Sequence, residues 1–279
     1  MKNLFTCCMI ALTCFSGYSA MAQAIKTPAA SPMQTIRQDF ALSSIEITYS
    51  RPAKKGRVIF GDLVPYGKMW RTGANGVSKI KFGEDVTVGG VAVKAGEYAI
   101  LTIPNKDSWE LILNKGLTNW GVDGYNEADD VARFKVKPET SAHTYESFTF
   151  LIDGVMSEDA KVSMAWDKTM ISFSVKADIK EKIYSQIEDV MTKDKRPYYQ
   201  SASYYYENDK DLNQALAWVD KAIEQYPDAF WVVHLKAKIQ AKMGDKKGAK
   251  STAEQSIKLA QKAENQDYVA LNLKLIDSL

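Results

Sequence analysis

The sequence predicts a mostly-β antiparallel sandwich or barrel domain followed by an all-α helical repeat domain. Three observations carry this expectation. From Gln34 to Lys176, apolar residues recur at every second position in short runs separated by Gly, Pro and Asn. That is the pattern of half-buried strands. From Asp178 onward the period lengthens, and Ile179, Ile183, Ile187 and Met191 fall on one face of a helix. Beyond Pro197, Ala215, Val219 and Ala222 recur 34 residues later as Ala249, Ala253 and Ser256, the mark of a repeated unit.

In chain order, residues 1–22 read as a secretory signal. Lys2 supplies a positive start, Leu4 to Phe15 form an apolar run, and Ala20-Met21-Ala22 fits small-x-small cleavage before Gln23. The run is short for a membrane span, which takes roughly 20 apolar residues. The expected product is exported, periplasmic or extracellular, with no transmembrane span after cleavage. A lipid anchor on Cys14 and an uncleaved anchor are the rival readings. Residues 23–33, with Pro28 and Pro32, read as a flexible lead-in.

The β-region spans 34–177. Ile45, Ile47 and Tyr49 alternate with Glu46, Thr48 and Ser50. Val77 to Phe82 repeats that alternation. Residues 85–88 and 91–93 flank Gly89-Gly90, a two-residue hairpin turn that needs positive φ. Further strands are expected at 97–103, 109–113, 131–137, 144–152, 161–166 and 170–175. About ten short strands with no helical pattern between them favour antiparallel sheets over βαβ units.

The helical region spans 178–279. Asp178 and Glu181 have the spacing of a capping box. Helix pairs are expected at 197–208 with 211–225 and at 229–243 with 245–262, closed by a helix from Asp267 to Leu279. Tyr199, Ala202, Ser203 and Tyr206 fall where a tetratricopeptide unit places its first-helix aromatic, two small residues and tyrosine. Pro227 closes the first unit. About 80 residues thus resemble tetratricopeptide repeats, in about two and a half units. Gln261 replaces the second closing proline, and Lys236 replaces a usual leucine.

Composition excludes several chemistries. All three cysteines, Cys7, Cys8 and Cys14, lie in the leader. Once it is removed there is no thiol for a nucleophile, a zinc ligand or a disulfide. Two histidines cannot form a three-His metal site. The formal charge is +2, and the leader contributes one lysine and no acid. A balance this near zero argues against nucleic-acid binding, which rests on neutralising phosphates. No Walker loop or dinucleotide fingerprint is present, so no cofactor is expected. Asp123, Asn126, Asp129 and Asp130 lack calcium-loop spacing. His143, with Ser141 and Glu146 nearby, lacks the Gly-x-Ser-x-Gly elbow of a hydrolase. The tyrosines at 198–199 and 204–206 fit repeat packing better than a nucleic-acid stacking platform.

The most distinctive stretch runs Tyr49-Ser-Arg-Pro52, Lys55-Gly-Arg57, Phe60-Gly61, Val64-Pro-Tyr-Gly67, then Trp70-Arg-Thr-Gly-Ala-Asn75. Further motifs follow at Ala95-Gly-Glu-Tyr98, Ile103-Pro104, Asn114-Lys115, Trp120-Gly121, Tyr125 and Asp130-x-x-Arg133. Over about 31–177 the chain resembles an uncharacterised family of exported bacterial proteins, catalogued as a domain of unknown function. That resemblance implies export and a β-rich domain and transfers no catalytic residue.

Read from the residues, Arg51, Lys55, Arg57 and Arg71 place four cations within 21 positions. Tyr66 and Trp70 add flat surfaces and Asn75 an amide. Arginine grips a carboxylate or phosphate through paired hydrogen bonds. These seven residues form the candidate site for a small anionic or carbohydrate-like ligand, and the helical repeats are expected to contact a protein or peptide. The same residues also admit a purely structural role, with Arg51 and Arg71 paired to carboxylates such as Glu97 or Asp130 or capping loop carbonyls, and with Trp70 and Tyr66 filling the end of the sandwich. Two alternatives to a binding module stand: a hydrolase acting on an envelope polymer, and an assembly factor with no small ligand. No residue is assigned a catalytic role.

Overall fold

A computed structural model describes residues 27–193 and 196–279. The leader and its cysteines lie outside the described residues. The chain divides into two compact units with the boundary at Ala177/Asp178.

The first unit carries two antiparallel sheets. One has six strands: β1 (Met33–Phe40), β2 (Ser43–Ser50), β3 (Ser78–Phe82), β6 (Gly96–Ile103), β7 (Trp109–Asn114) and β8 (Asp130–Val136), in the order β1-β2-β3-β6-β7-β8. The other has four: β4 (Val86–Val88), β5 (Val91–Val93), β9 (Glu139–Asp153) and β10 (Asp159–Ala177), in the order β5-β4-β10-β9. The alternation in β2 sorts as its period requires: Ile45, Ile47 and Tyr49 are buried and their neighbours half-buried. The Gly89-Gly90 turn joins β4 to β5 with positive φ at both residues. A side chain at Gly89 would strike the Phe134 ring at 2.4 Å, so glycine is needed there for both conformation and space.

Two expected strands, 161–166 and 170–175, are one. β10 runs through the break because bulges around Asp167 absorb the irregularity. Asp167 takes φ +54, a conformation Asp tolerates better than most residues. Its carboxylate accepts from Lys54 Nζ at 2.6 Å. β9 also begins five residues earlier than expected, at Glu139.

The sheets share an aromatic cluster. Tyr49 of β2 meets Phe148 and Phe150 of β9 edge to face, at 5.8 and 4.8 Å. Trp166 of β10 meets Phe148 at 5.9 Å and stacks on Trp70 at 6.0 Å. Phe60 closes the group against Trp70 and Trp109. Tyr49 fastens the sheets further: its hydroxyl donates to Gln34 Oε1 and accepts from the Phe150 N–H.

The second unit is helical: α1 (Lys180–Met191), α2 (Tyr198–Glu207), α3 (Leu212–Gln225), α4 (Phe230–Lys242), α5 (Lys246–Lys262) and α6 (Gln266–Asp277). From α2 onward each helix packs on the next. The small residues spaced 34 apart, Ala215, Ala222, Ala249, Ala253 and Ser256, are fully buried, which lets helix backbones approach closely. Asp211, Asp245 and Asn265 accept N–H groups at the starts of α3, α5 and α6. The expected Asp178 cap of α1 does not form. Ile179 holds the cap position with no side-chain hydrogen bond, because β10 continues to Ala177 and the helix begins only at Lys180.

Candidate ligand site

Residues 51–77 connect β2 to β3, and their backbone is pinned at several points. Trp70 and Thr102 exchange N–H···O bonds of 2.7 and 3.0 Å. Thr72 is buried with φ +56, a costly conformation for a β-branched residue. It is held by a 3.1 Å contact between its hydroxyl and that of Thr102. Ser78 Oγ donates to the Thr72 carbonyl at 2.5 Å. Arg71 therefore stands between two fixed residues. Gly121 lies against its guanidinium: a Cβ there would sit 3.2 Å from Arg71 Nη1. Glycine leaves that room.

Arg71 opens on a cavity of about 540 Å³. Lys55, Arg57, Lys68 and Arg71 bring four cations to its lining, and no carboxylate among the described residues joins them. Leu63, Val64, Met69, Trp70 and Trp166 form apolar wall. Arg71 Nε is buried and has no hydrogen-bond partner. Nor does any other atom of this guanidinium form a hydrogen bond or ion pair among the described residues. A buried donor without an acceptor costs free energy comparable to its lost hydration, about 1–3 kcal/mol. Native structures rarely leave such groups without a role.

Five of the seven candidate residues line this cavity: Lys55, Arg57, Trp70, Arg71 and Asn75. Their freedom differs. Arg57 donates from Nε to Lys54 O and from Nη2 to Ala53 O, which leaves its other nitrogen, Nη1, for a ligand. Asn75 Nδ2 donates weakly to Ser31 O and Ser50 Oγ at 3.4 and 3.3 Å. Trp70 Nε1 donates to Gly73 O, and its ring belongs to the aromatic cluster.

Two candidate residues lie elsewhere. Arg51 donates to Phe148 O at 3.2 Å and Thr149 Oγ1 at 2.8 Å, tying the loop to β9. Tyr66 packs against Gly61 and lines a separate cavity with Lys106, Asp107, Glu110 and Lys135. Lys68, Met69 and Trp166 were not among the seven. Lys68 lies within the same motif stretch, but no sequence signal joins Trp166 to a loop ninety-odd residues earlier.

Neither suggested carboxylate forms an ion pair with Arg51 or Arg71 among the described residues. Glu97 is exposed. Asp130 receives Arg133 Nη2 at 2.8 Å, the Tyr125 hydroxyl at 2.9 Å and Asn114 Nδ2 at 2.8 Å. Arg133 also reaches Glu110 at 3.1 Å. Desolvation, reinforced by Asp130, pushes the Tyr125 phenol from 10.0 up to about 12. The folded chain thus holds this proton more tightly than the unfolded chain. Stability is intact below pH 10 and falls as pH rises toward 12, where only the unfolded state ionises. Tyr125→Phe is expected to flatten that loss, measured as urea midpoints at about pH 9 and 11; an unchanged slope would place the alkaline sensitivity elsewhere. Among the described residues no cluster of three or more His, Cys, Asp or Glu is arranged to hold a metal, and no helix is long and apolar enough to cross a membrane.

The chain is a sheet-rich domain followed by a helical domain, and the first carries the cation-lined cavity. Residues 31–175 match the family described as "Protein of unknown function (DUF2911)", and the chain belongs to it. No curated protein and no solved structure matches the chain.

Proposed function

We propose that this chain is an exported binding module whose β-unit holds a small anionic ligand and whose helical unit contacts a protein or peptide. The observation that supports the first part is Arg71, which has a buried, partnerless Nε and lines a cavity with three other cations and no carboxylate. An incoming carboxylate or phosphate would supply the missing acceptor, and arginine binds such groups with paired bonds. The lining argues against the hydrolase reading, since two carboxylates facing one another are the usual means of cleaving a glycosidic polymer. It also favours an anion over a neutral sugar, because the Trp70 and Trp166 rings are packed edge to face and against each other. For the helical unit, the support is the 34-residue recurrence of buried small residues, read as tetratricopeptide-like pairs whose stacking presents a concave surface.

The test is a thermal-shift screen of the full chain with inorganic phosphate, citrate, nucleotides and neutral hexoses. At least one anion is expected to raise the melting temperature, neutral hexoses are not, and Arg71→Ala is expected to abolish the response. No stabilising anion, or an unchanged response in Arg71→Ala, sinks the site. Deleting residues 197–279 is expected to leave that response in place while ending recovery of a partner in pull-downs. Retained partner recovery would contradict the helical part.

A further inference from the structure

The cavity carries more than charge. Its volume, about 540 Å³, is that of a site for a small organic molecule and exceeds the needs of a bare inorganic ion. Among the described residues, Arg71 is the one cation with a buried and partnerless donor; Lys55, Arg57 and Lys68 are exposed in the lining. On the same loop Leu63 is an exposed apolar side chain, at 43%. Leu63 lines the cavity itself, as does Met69. Leu63 and Met69, with Val64 behind them, thus give the cation-lined cavity an apolar side.

We propose that the ligand is an amphiphilic organic anion, with a phosphate or carboxylate head on Arg71 and an apolar body along Leu63 and Met69. The inference rests on the reading of Arg71 as an anion site and adds the class of molecule. A bare anion would satisfy Arg71 and leave the apolar wall wet. A neutral apolar molecule would cover the wall and leave Nε orphaned. A ligand carrying both parts satisfies both walls, and the exposed cations accommodate any further negative charge near its head.

The experiment compares inorganic phosphate with n-hexyl phosphate, and acetate with hexanoate, by titration calorimetry on the full chain. Within each pair the anionic head is of one class, phosphate or carboxylate, and the members differ chiefly in the alkyl chain. The hexyl member is expected to bind at least about tenfold more tightly, since each buried methylene contributes to transfer from water. Leu63→Ser changes an exposed residue of the lining; it is expected to cut that advantage to about threefold or less. Arg71→Ala is expected to weaken both members, with circular dichroism confirming the fold. If the paired probes bind equally and both depend on Arg71, the anion site stands and the amphiphile inference falls. If no probe depends on Arg71, both fall. An undiminished hexyl advantage in Leu63→Ser overturns the placement of the apolar body. Flotation with phosphatidate vesicles then separates the sources: co-flotation lost in Arg71→Ala identifies a lipid headgroup, and its absence beside hexyl phosphate binding identifies a free small molecule.

Discussion

Trp166→Ala is expected to cost about 3–5 kcal/mol of stability, the range for removing a large aromatic from a packed core. Trp166 is 2% exposed. It touches Phe60, Trp70 and Phe148 at centroid distances of 6.4, 6.0 and 5.9 Å, and its Nε1 donates to Glu146 O at 3.3 Å. Truncation removes the stacked contact and one of the two hydrogen bonds to that carbonyl, which keeps the Lys54 N–H at 2.6 Å, and it leaves a void between β9 and the loop carrying Trp70. The ring also forms part of the wall of the cavity that Arg71 lines, so the void would open into that cavity. Trp166→Phe retains much of the packing and is expected to cost far less. Urea unfolding followed by near-ultraviolet circular dichroism measures both. A loss under about 1 kcal/mol for Trp166→Ala would mean that the cluster is not a tightly packed core.

The largest effect expected in the helical unit comes from a polar residue. Asn272 on α6 is fully buried. Its amide nitrogen donates to Ser256 Oγ at 2.9 Å and Tyr268 O at 2.7 Å. Its oxygen faces His234 Nδ1 at 2.8 Å, which selects the tautomer that donates from Nδ1. Ser256 Oγ in turn donates to Phe230 O, so the chain of bonds spans α4, α5 and α6. Asn272→Ala leaves several of these groups unsatisfied in a low-dielectric interior, at about 1–3 kcal/mol for each buried polar group orphaned. A loss of about 3 kcal/mol is expected, read from the helical signal in chemical denaturation; a loss within experimental error would mean that water replaces the amide. Burial also holds the His234 pKa below 6.5, outweighing its bond to Asn272. The helical unit's stability is therefore complete above pH 6.5 and declines as pH falls below it, where the unfolded chain gains the proton first.

Local periodicity made most of the fold legible. The expected helices 211–225 and 245–262 differ by one residue at their starts from α3 and α5, because a 3.6-residue apolar pattern and an Asp cap are both local signals. The β4–β5 hairpin was readable from two glycines. What escaped was set by distant partners. Asp167-Lys168-Thr169 has the composition of a turn, yet pairing with β9 across the bulges makes β10 one strand. Arg51 and Arg71 are alike in sequence, each a cation within the same motif stretch. Only the fold separates them: the Arg51 guanidinium donates to the backbone of Phe148, and the buried Nε of Arg71 has no hydrogen-bond partner among the described residues. Asn272 carried no signal either, since a single Asn in a helix reads as surface until the neighbouring helices are in place.

The central claim is that Arg71 awaits an anionic acceptor. A crystal structure of the full chain grown with saturating n-hexyl phosphate tests it most directly. The expected result is a phosphate oxygen within hydrogen-bond distance, about 3 Å, of Arg71 Nε, with the alkyl chain against Leu63. Arg71 paired with a carboxylate of the protein, and the cavity free of phosphate, would contradict it.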